Sequence, residues 1–241
     1  MKSLQSITAL IFLLSTTLSC AQWGNGKKIK GDNSITTTSR TTSSYESIKA
    51  AGPMDFKLVK GNEGQIFIQG DANLMEYIIV EVKGKHLVVK VKDGYNLEPS
   101  QNIVVTIPFE SIDSVSLSGY GDIESGDTIE AKNFKVSLAG SGDINLNVEA
   151  QDIQSSIAGS GDIELEGSTK DLTVKVTGSG DFDGKELNST NVTAKITGSG
   201  SADVVCNGEL VARITGSGDV KYSGKPTNKD TKITGSGSVS N

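Results

Sequence analysis

Five aspartates recur in the C-terminal half of the sequence, each directly after a glycine: Asp122, Asp143, Asp162, Asp181 and Asp219. Each closes a Gly-Tyr-Gly-Asp or Gly-Ser-Gly-Asp motif, and two further copies carry serine in place of the acid, at Ser201 and Ser238. Carboxylates at constant spacing suit two kinds of chemistry. A row of hard oxygen ligands is what Ca²⁺ takes, which makes this column the candidate metal site, although the motif differs from the nonapeptide calcium-binding roll. Alternatively each carboxylate accepts backbone N–H bonds at a turn, a role that Ser201 and Ser238 can share. We take the second reading. Like charges one repeat apart repel by about 1 kcal/mol in water and by several at lower effective dielectric, so the column is expected to be exposed.

The spacing identifies the elements that hold these residues. From first glycine to first glycine, starting at Gly119, the steps are 21, 19, 19, 20, 18 and 19 residues, and a fixed period near 20 marks a solenoid. The turn glycines are the pairs Gly140 and Gly142, Gly159 and Gly161, Gly178 and Gly180, Gly198 and Gly200, Gly216 and Gly218, and Gly235 and Gly237. Two residues before each first glycine stand Leu117, Leu138, Ile157, Val176, Ile196, Ile214 and Ile233; after the acid or serine come Ile123, Ile144, Ile163, Phe182, Ala202, Val220 and Val239. Period-2 alternation that stays in phase with the repeat stacks like on like, giving interior aliphatic ladders between parallel strands. The predicted fold is all-β: a single-stranded right-handed parallel β-helix of about seven coils, ~19 residues each, the hand following from the preference for right-handed crossovers. A left-handed helix with a strict 18-residue coil fits the varying steps less well. The outward residues Thr177, Thr197, Thr215 and Thr234 should form a threonine ladder, and Lys229 to Lys232 make the last coil polar.

Residues 1–19 carry Lys2, an apolar core through Ile7 to Leu14, and small polar residues up to Cys20, which reads as a lipoprotein-type export signal too short to span a bilayer. Cys20 is the expected lipid attachment site, with Ser19 before it; cleavage after Ala21 by ordinary signal peptidase is the alternative. Residues 20–44, rich in Gly, Ser and Thr without period, are expected to be a flexible tether. Residues 45–241 form the single β-helical domain: 45–110 as an N-terminal cap and first coils lacking the Gly-Ser-Gly corner, and 111–241 as the repeats. Within the cap, Lys83-Gly84-Lys85 between two β-branched runs predicts a hairpin.

Composition narrows the function. A net charge of -6, with no Lys/Arg cluster visible in the repeats, argues against nucleic acid. Cys206 has no partner once Cys20 is acylated, and its place in the alternation Ala202, Val204, Cys206 predicts a small buried hydrophobe. Polysaccharide-cleaving enzymes occur on parallel β-helices, but they need acids, a base and a cleft. Coil lengths varying by three residues leave no room for a cleft-forming insertion. The one histidine, His86, falls in a cap strand, and Tyr120, Phe134, Phe182 and Tyr222 share no column on which a sugar could stack.

The export signal, the strand Val104-Val105-Thr106-Ile107-Pro108 and the run Ser116-Leu117-Ser118-Gly119-Tyr120-Gly121-Asp122 with its successive copies resemble the putative auto-transporter adhesin, head GIN domain family of Bacteroidetes envelope proteins. The resemblance covers about residues 45–241. It implies a β-helical fold and an envelope location, and it brings no catalytic residues or cofactor. The expected function is therefore non-catalytic binding or adhesion through a repetitive β-helix surface on an outer-membrane lipoprotein. The expected partners are the membrane, through the N-terminal lipid, and an unknown envelope polymer, glycan or protein surface. A polysaccharide-active enzyme and a periplasmic scaffold are the alternatives.

Overall fold

A computed structural model describes residues 26–241. The export signal and Cys20 lie outside the described residues. Among those described, no helix is long and apolar enough to cross a membrane.

The repeats wind a β-solenoid of about seven turns with ~19-residue spacing. Its strands, numbered after those of the N-terminal cap, are β10 (Ser114–Gly119), β11 (Ile123–Gly140), β12 (Ile144–Gly159), β13 (Ile163–Gly178), β14 (Phe182–Gly198), β15 (Ala202–Cys206), β16 (Glu209–Gly216), β17 (Asp219–Ser223), β18 (Asn228–Gly235) and β19 (Ser238–Ser240). Each coil pairs in parallel with the next, and equivalent motif positions fall in register: Gly119 on Gly140, Gly140 on Gly159, Gly159 on Gly178, and so on to Gly216 on Gly235. The aliphatic columns are interior as the alternation predicts. Leu117 to Ile214 and Ile123 to Val220 are at most 2% exposed in every coil but the last, where Ile233 reaches 41%. Each such side chain contributes about 1.5 to 3 kcal/mol on burial, and every coil shares its core with its neighbours. Among the described residues no coil packs on the outer side of Ile233, and Lys229, at the register position of Leu210, places a charge in an interior column.

The corner explains why glycine stands at both positions. The first glycine of each motif adopts φ between +123° and +139°, open to glycine without strain. The second has ordinary φ but no space: a Cβ on Gly161 would lie 2.0 Å from the carbonyl oxygen of Gly142, and the same contact recurs up the stack. Adjacent coils thus touch backbone to backbone.

The cap contains β1 (Lys27–Lys30), β2 (Ile35–Thr41), β3 (Ser47–Gly52), β4 (Met54–Lys60), β5 (Gln65–Asp71), β6 (Ile78–Lys83), β7 (His86–Val91), β8 (Tyr95–Glu98) and β9 (Ile103–Phe109). The predicted hairpin forms, with Lys83 opposite His86. Two expectations need correction. Gly52-Pro53-Met54-Asp55 is a degenerate further corner: β3 pairs with β10 and β4 with β11, so that Gly52 lies on Gly119 and Phe56 on Ile123. Methionine fits at the second glycine position because no coil corner underlies it, and its side chain is fully buried.

The second correction concerns the tether expected over residues 20–44. Residues 27–30 pair in parallel with β8, and residues 35–41 pair antiparallel with β5. The cause is polar anchoring, which hydrophobic periodicity does not register. The carboxylate of Asp71, itself fully buried, accepts N–H bonds from Asn33 and Ser100 at 2.8 Å each and the Ser100 hydroxyl at 2.6 Å. These bonds, the hydroxyl first, hold its carboxyl below the usual carboxylate range. Gly31 packs against the same carboxylate, where a Cβ would clash at 2.3 Å. Arg40 donates to the Met75 carbonyl at 3.2 Å, closing β2 over the core.

Candidate functional site

The aspartate column lies on the outer rim of the corner, exposed at all five positions except half-buried Asp219. Each carboxylate reaches to the next coil. Oδ1 of Asp122 accepts the N–H of Asp143 at 3.0 Å, Asp143 that of Asp162 at 3.0 Å, and Asp162 that of Asp181 at 2.7 Å. The turn-capping reading therefore holds, with one correction: Ser201 and Ser238 do not share the acceptor role. Both receive the preceding acid instead. Ser201 donates its N–H and hydroxyl to Asp181, each at 2.7 Å, and Ser238 donates to Asp219 at 2.8 and 2.7 Å. These bonds, the hydroxyl first, lower the pKa of Asp219. One oxygen of each carboxylate is thus committed to backbone, and among the described residues no three or more His, Cys, Asp or Glu gather as a metal-ligand set.

Two flat faces flank the corner, and register gives them opposite charge. Three residues before the first glycine, Lys175 lies on Lys195, Lys195 on Arg213 and Arg213 on Lys232, forming one file of four cations. Earlier coils carry Ser116, Ser137 and Ser156 in the same file. Threonines stand outward on either side: Thr173 and Thr193 before the file, and Thr177, Thr197, Thr215 and Thr234 after it. The expected absence of a Lys/Arg cluster is overturned here, because residues 18 to 20 apart in sequence become neighbours about one strand spacing apart.

On the face after the corner the file is acidic: Glu124, Asn145, Glu164, Asp183 and Asp203. That face largely neutralises itself. Lys57 pairs with Glu124 at 3.0 Å, and Lys185 bridges Asp183 and, at 3.0 Å, Asp203. Among the described residues, Arg213 alone of the basic file has such a partner, Asp230 of the last coil.

The remaining candidates also have places. Phe134 and Phe182 are core residues, no more than 1% exposed. Tyr120, 73% exposed, lines an open groove of about 380 Å³ with Tyr95, Pro53, Val91 and Leu97, a juxtaposition that sequence spacing alone does not show because Tyr95 comes from the cap. His86 is exposed and its Nδ1 meets the hydroxyl of Ser47 on the neighbouring strand, a strand-pairing role. Cys206 is buried, as expected, and burial pushes its thiol pKa up.

Fold and faces together define a β-solenoid with closely stacked coils and charged outer files. The chain belongs to the family described as putative auto-transporter adhesin, head GIN domain, whose model matches residues 44–226. Solved structures share the fold. One from Bacteroides fragilis, described as a putative adhesin, is 23% identical with a TM-score of 0.80 over 88% of this chain and 99% of its own. One from Parabacteroides distasonis, described as a putative lipid binding protein, is 24% identical with a TM-score of 0.72 over 89% and 99%. A putative adhesin from Parabacteroides merdae is 23% identical with a TM-score of 0.71 over 89% and 99%. No curated protein sequence matches.

Proposed function

We propose that the chain is an exported protein of the cell envelope, lipid-anchored through Cys20, that binds an envelope polymer, glycan or protein surface without catalysis. The observation that carries this reading is the regularity of the coils. From β11 to β18 the corner positions pair in register, with register shifts confined to the stretches between corners, so the surface beside the corners consists of repeated shallow files suited to avidity for a repetitive partner. The adhesin names of the family and of two of these relatives agree with a binding role.

Protease shaving of intact cells, with lysed cells as control, tests the display that adhesion requires. Loss of the protein from intact cells supports adhesion at the surface. Protection until lysis overturns it in favour of a periplasmic scaffold. Incorporation of radiolabelled palmitate into the wild-type chain but not into Cys20→Ser is the matching test of the anchor; equal labelling would refute it.

A further inference from the structure

We propose that the file Lys175, Lys195, Arg213 and Lys232, with its flanking threonines, is a binding surface for a linear anionic polysaccharide bearing carboxylates or sulfates. This deepens the binding reading by naming its ligand class. Four cations stack in register on successive coils, and among the described residues Lys175, Lys195 and Lys232 form no ion pair. Cations about one strand spacing apart repel by roughly 1 kcal/mol per pair in water. Folding does not require them, because Ser116, Ser137 and Ser156 occupy the same file in earlier coils. The contrast with the acidic face is the second observation. There, like charges stack but cations of the chain itself intervene, whereas on the basic face, Arg213 with Asp230 apart, the lysines of the file have no carboxylate partner among the described residues and remain open to an external anion.

The shape of the file selects the partner. It is one cation wide and runs in register from coil to coil, complementary to an extended chain whose charges recur at a rise of the same order as the coil spacing. The outward threonine hydroxyls on both sides can donate to and accept from sugar hydroxyls and ring oxygens. Single-stranded nucleic acid would need aromatic platforms for its bases, and no Phe, Tyr or Trp stands in the cation or threonine files of this face. A membrane surface is met by broad basic clusters, often backed by apolar side chains that insert. The files between Thr173 and Thr215 carry no exposed large hydrophobic residue.

The test is binding of the exported chain from Cys20 onward, with Cys20 changed to Ser for solubility, to immobilised polygalacturonate and heparin. Dextran, phosphatidylglycerol vesicles and oligo-dT serve as comparators, each across a salt series. The variant Lys175→Gln/Lys195→Gln/Lys232→Gln is compared with Lys132→Gln/Lys170→Gln/Lys221→Gln, which makes the same charge change at exposed positions outside the file. The expected result is salt-sensitive binding to a charged polysaccharide but not to dextran. The file variant should lose at least about tenfold in affinity, with a salt slope shallower by about 2 to 3, while the other variant stays within about threefold of wild type. Absence of binding to both charged polysaccharides, equal loss in both variants, or stronger binding to vesicles or oligo-dT would overturn the proposal. Sedimentation with isolated envelopes separates this failure from that of the broader reading. If wild type and file variant both sediment equally, the file is not the binding surface; if neither sediments, the binding function itself fails.

Discussion

Replacing Gly161 by alanine tests the reason this solenoid stacks as closely as it does. The backbone at Gly161 does not require positive φ, so the expected effect comes from space alone. The added Cβ would stand 2.0 Å from the Gly142 carbonyl oxygen and 3.0 Å from the Gly142 carbonyl carbon and nitrogen. All three atoms are backbone, so relief requires one coil to move from the other by more than about 1 Å to restore ordinary contact. Four hydrogen bonds cross this junction: Ser160 N–H to Gly140 O at 2.9 Å, Gly161 N–H to the same oxygen at 3.2 Å, Ile144 N–H to Asp162 O at 3.0 Å, and Asp162 N–H to Asp143 Oδ1 at 3.0 Å. With a net contribution of about 1 kcal/mol each, their loss or weakening amounts to about 3 kcal/mol. Gly126→Ala is the control, since no atom lies within 4 Å of its Cβ position; it should leave stability unchanged or raise it by up to about 1 kcal/mol. Urea unfolding followed by far-UV circular dichroism gives the difference, and amide exchange at Ser160 and Asp162 shows whether the loss is local. A Gly161→Ala protein within 1 kcal/mol of wild type would refute the contact argument.

Three further outcomes follow from particular contacts. Asp71 has a folded pKa below its unfolded value of about 3.9, so its hold on the Asn33 and Ser100 amides is fully present above that value and is lost as pH falls through the folded pKa; proteolysis within residues 31–41 should increase on acidification in wild type but already be raised at neutral pH in Asp71→Ala. Asp162→Asn keeps an acceptor for the Asp181 N–H and removes one charge from the column, so it should melt no lower than wild type, while Asp162→Ala should melt lower than both. Ser155 buries a hydroxyl that has no partner among the described residues and lies between Val136 and Val174, and Ser155→Ala should raise stability by about 1 kcal/mol in urea unfolding.

Residue patterning made the coils legible because one requirement was repeated seven times. Each motif needs an aliphatic two positions before the corner, a positive-φ glycine and a second glycine with no room for a side chain, and no single exception hides such a series. Where the requirement was met once, it was concealed. Gly52 begins a corner whose second glycine position holds Met54, where the strand beneath brings Ile103 in place of another glycine corner. The strand Ile35–Thr41 has half-buried Thr36, Thr38 and Arg40 in place of an apolar face and is fixed by bonds to residues about 35 positions away, Asp71 fixing the turn before it. The basic file was invisible for a different reason. Its members are never close in sequence, and only their shared position within the repeat, three residues before the first glycine, brings Lys175, Lys195, Arg213 and Lys232 together.

The most direct measurement is sedimentation of the purified exported chain with isolated envelopes of cells lacking it, with simultaneous assay of the supernatant for released reducing ends and soluble fragments. Saturable sedimentation with no material released beyond the protein-free control is the result a non-catalytic envelope-binding module gives. A chain that stays in the supernatant at every concentration, or one that releases glycan fragments, contradicts it.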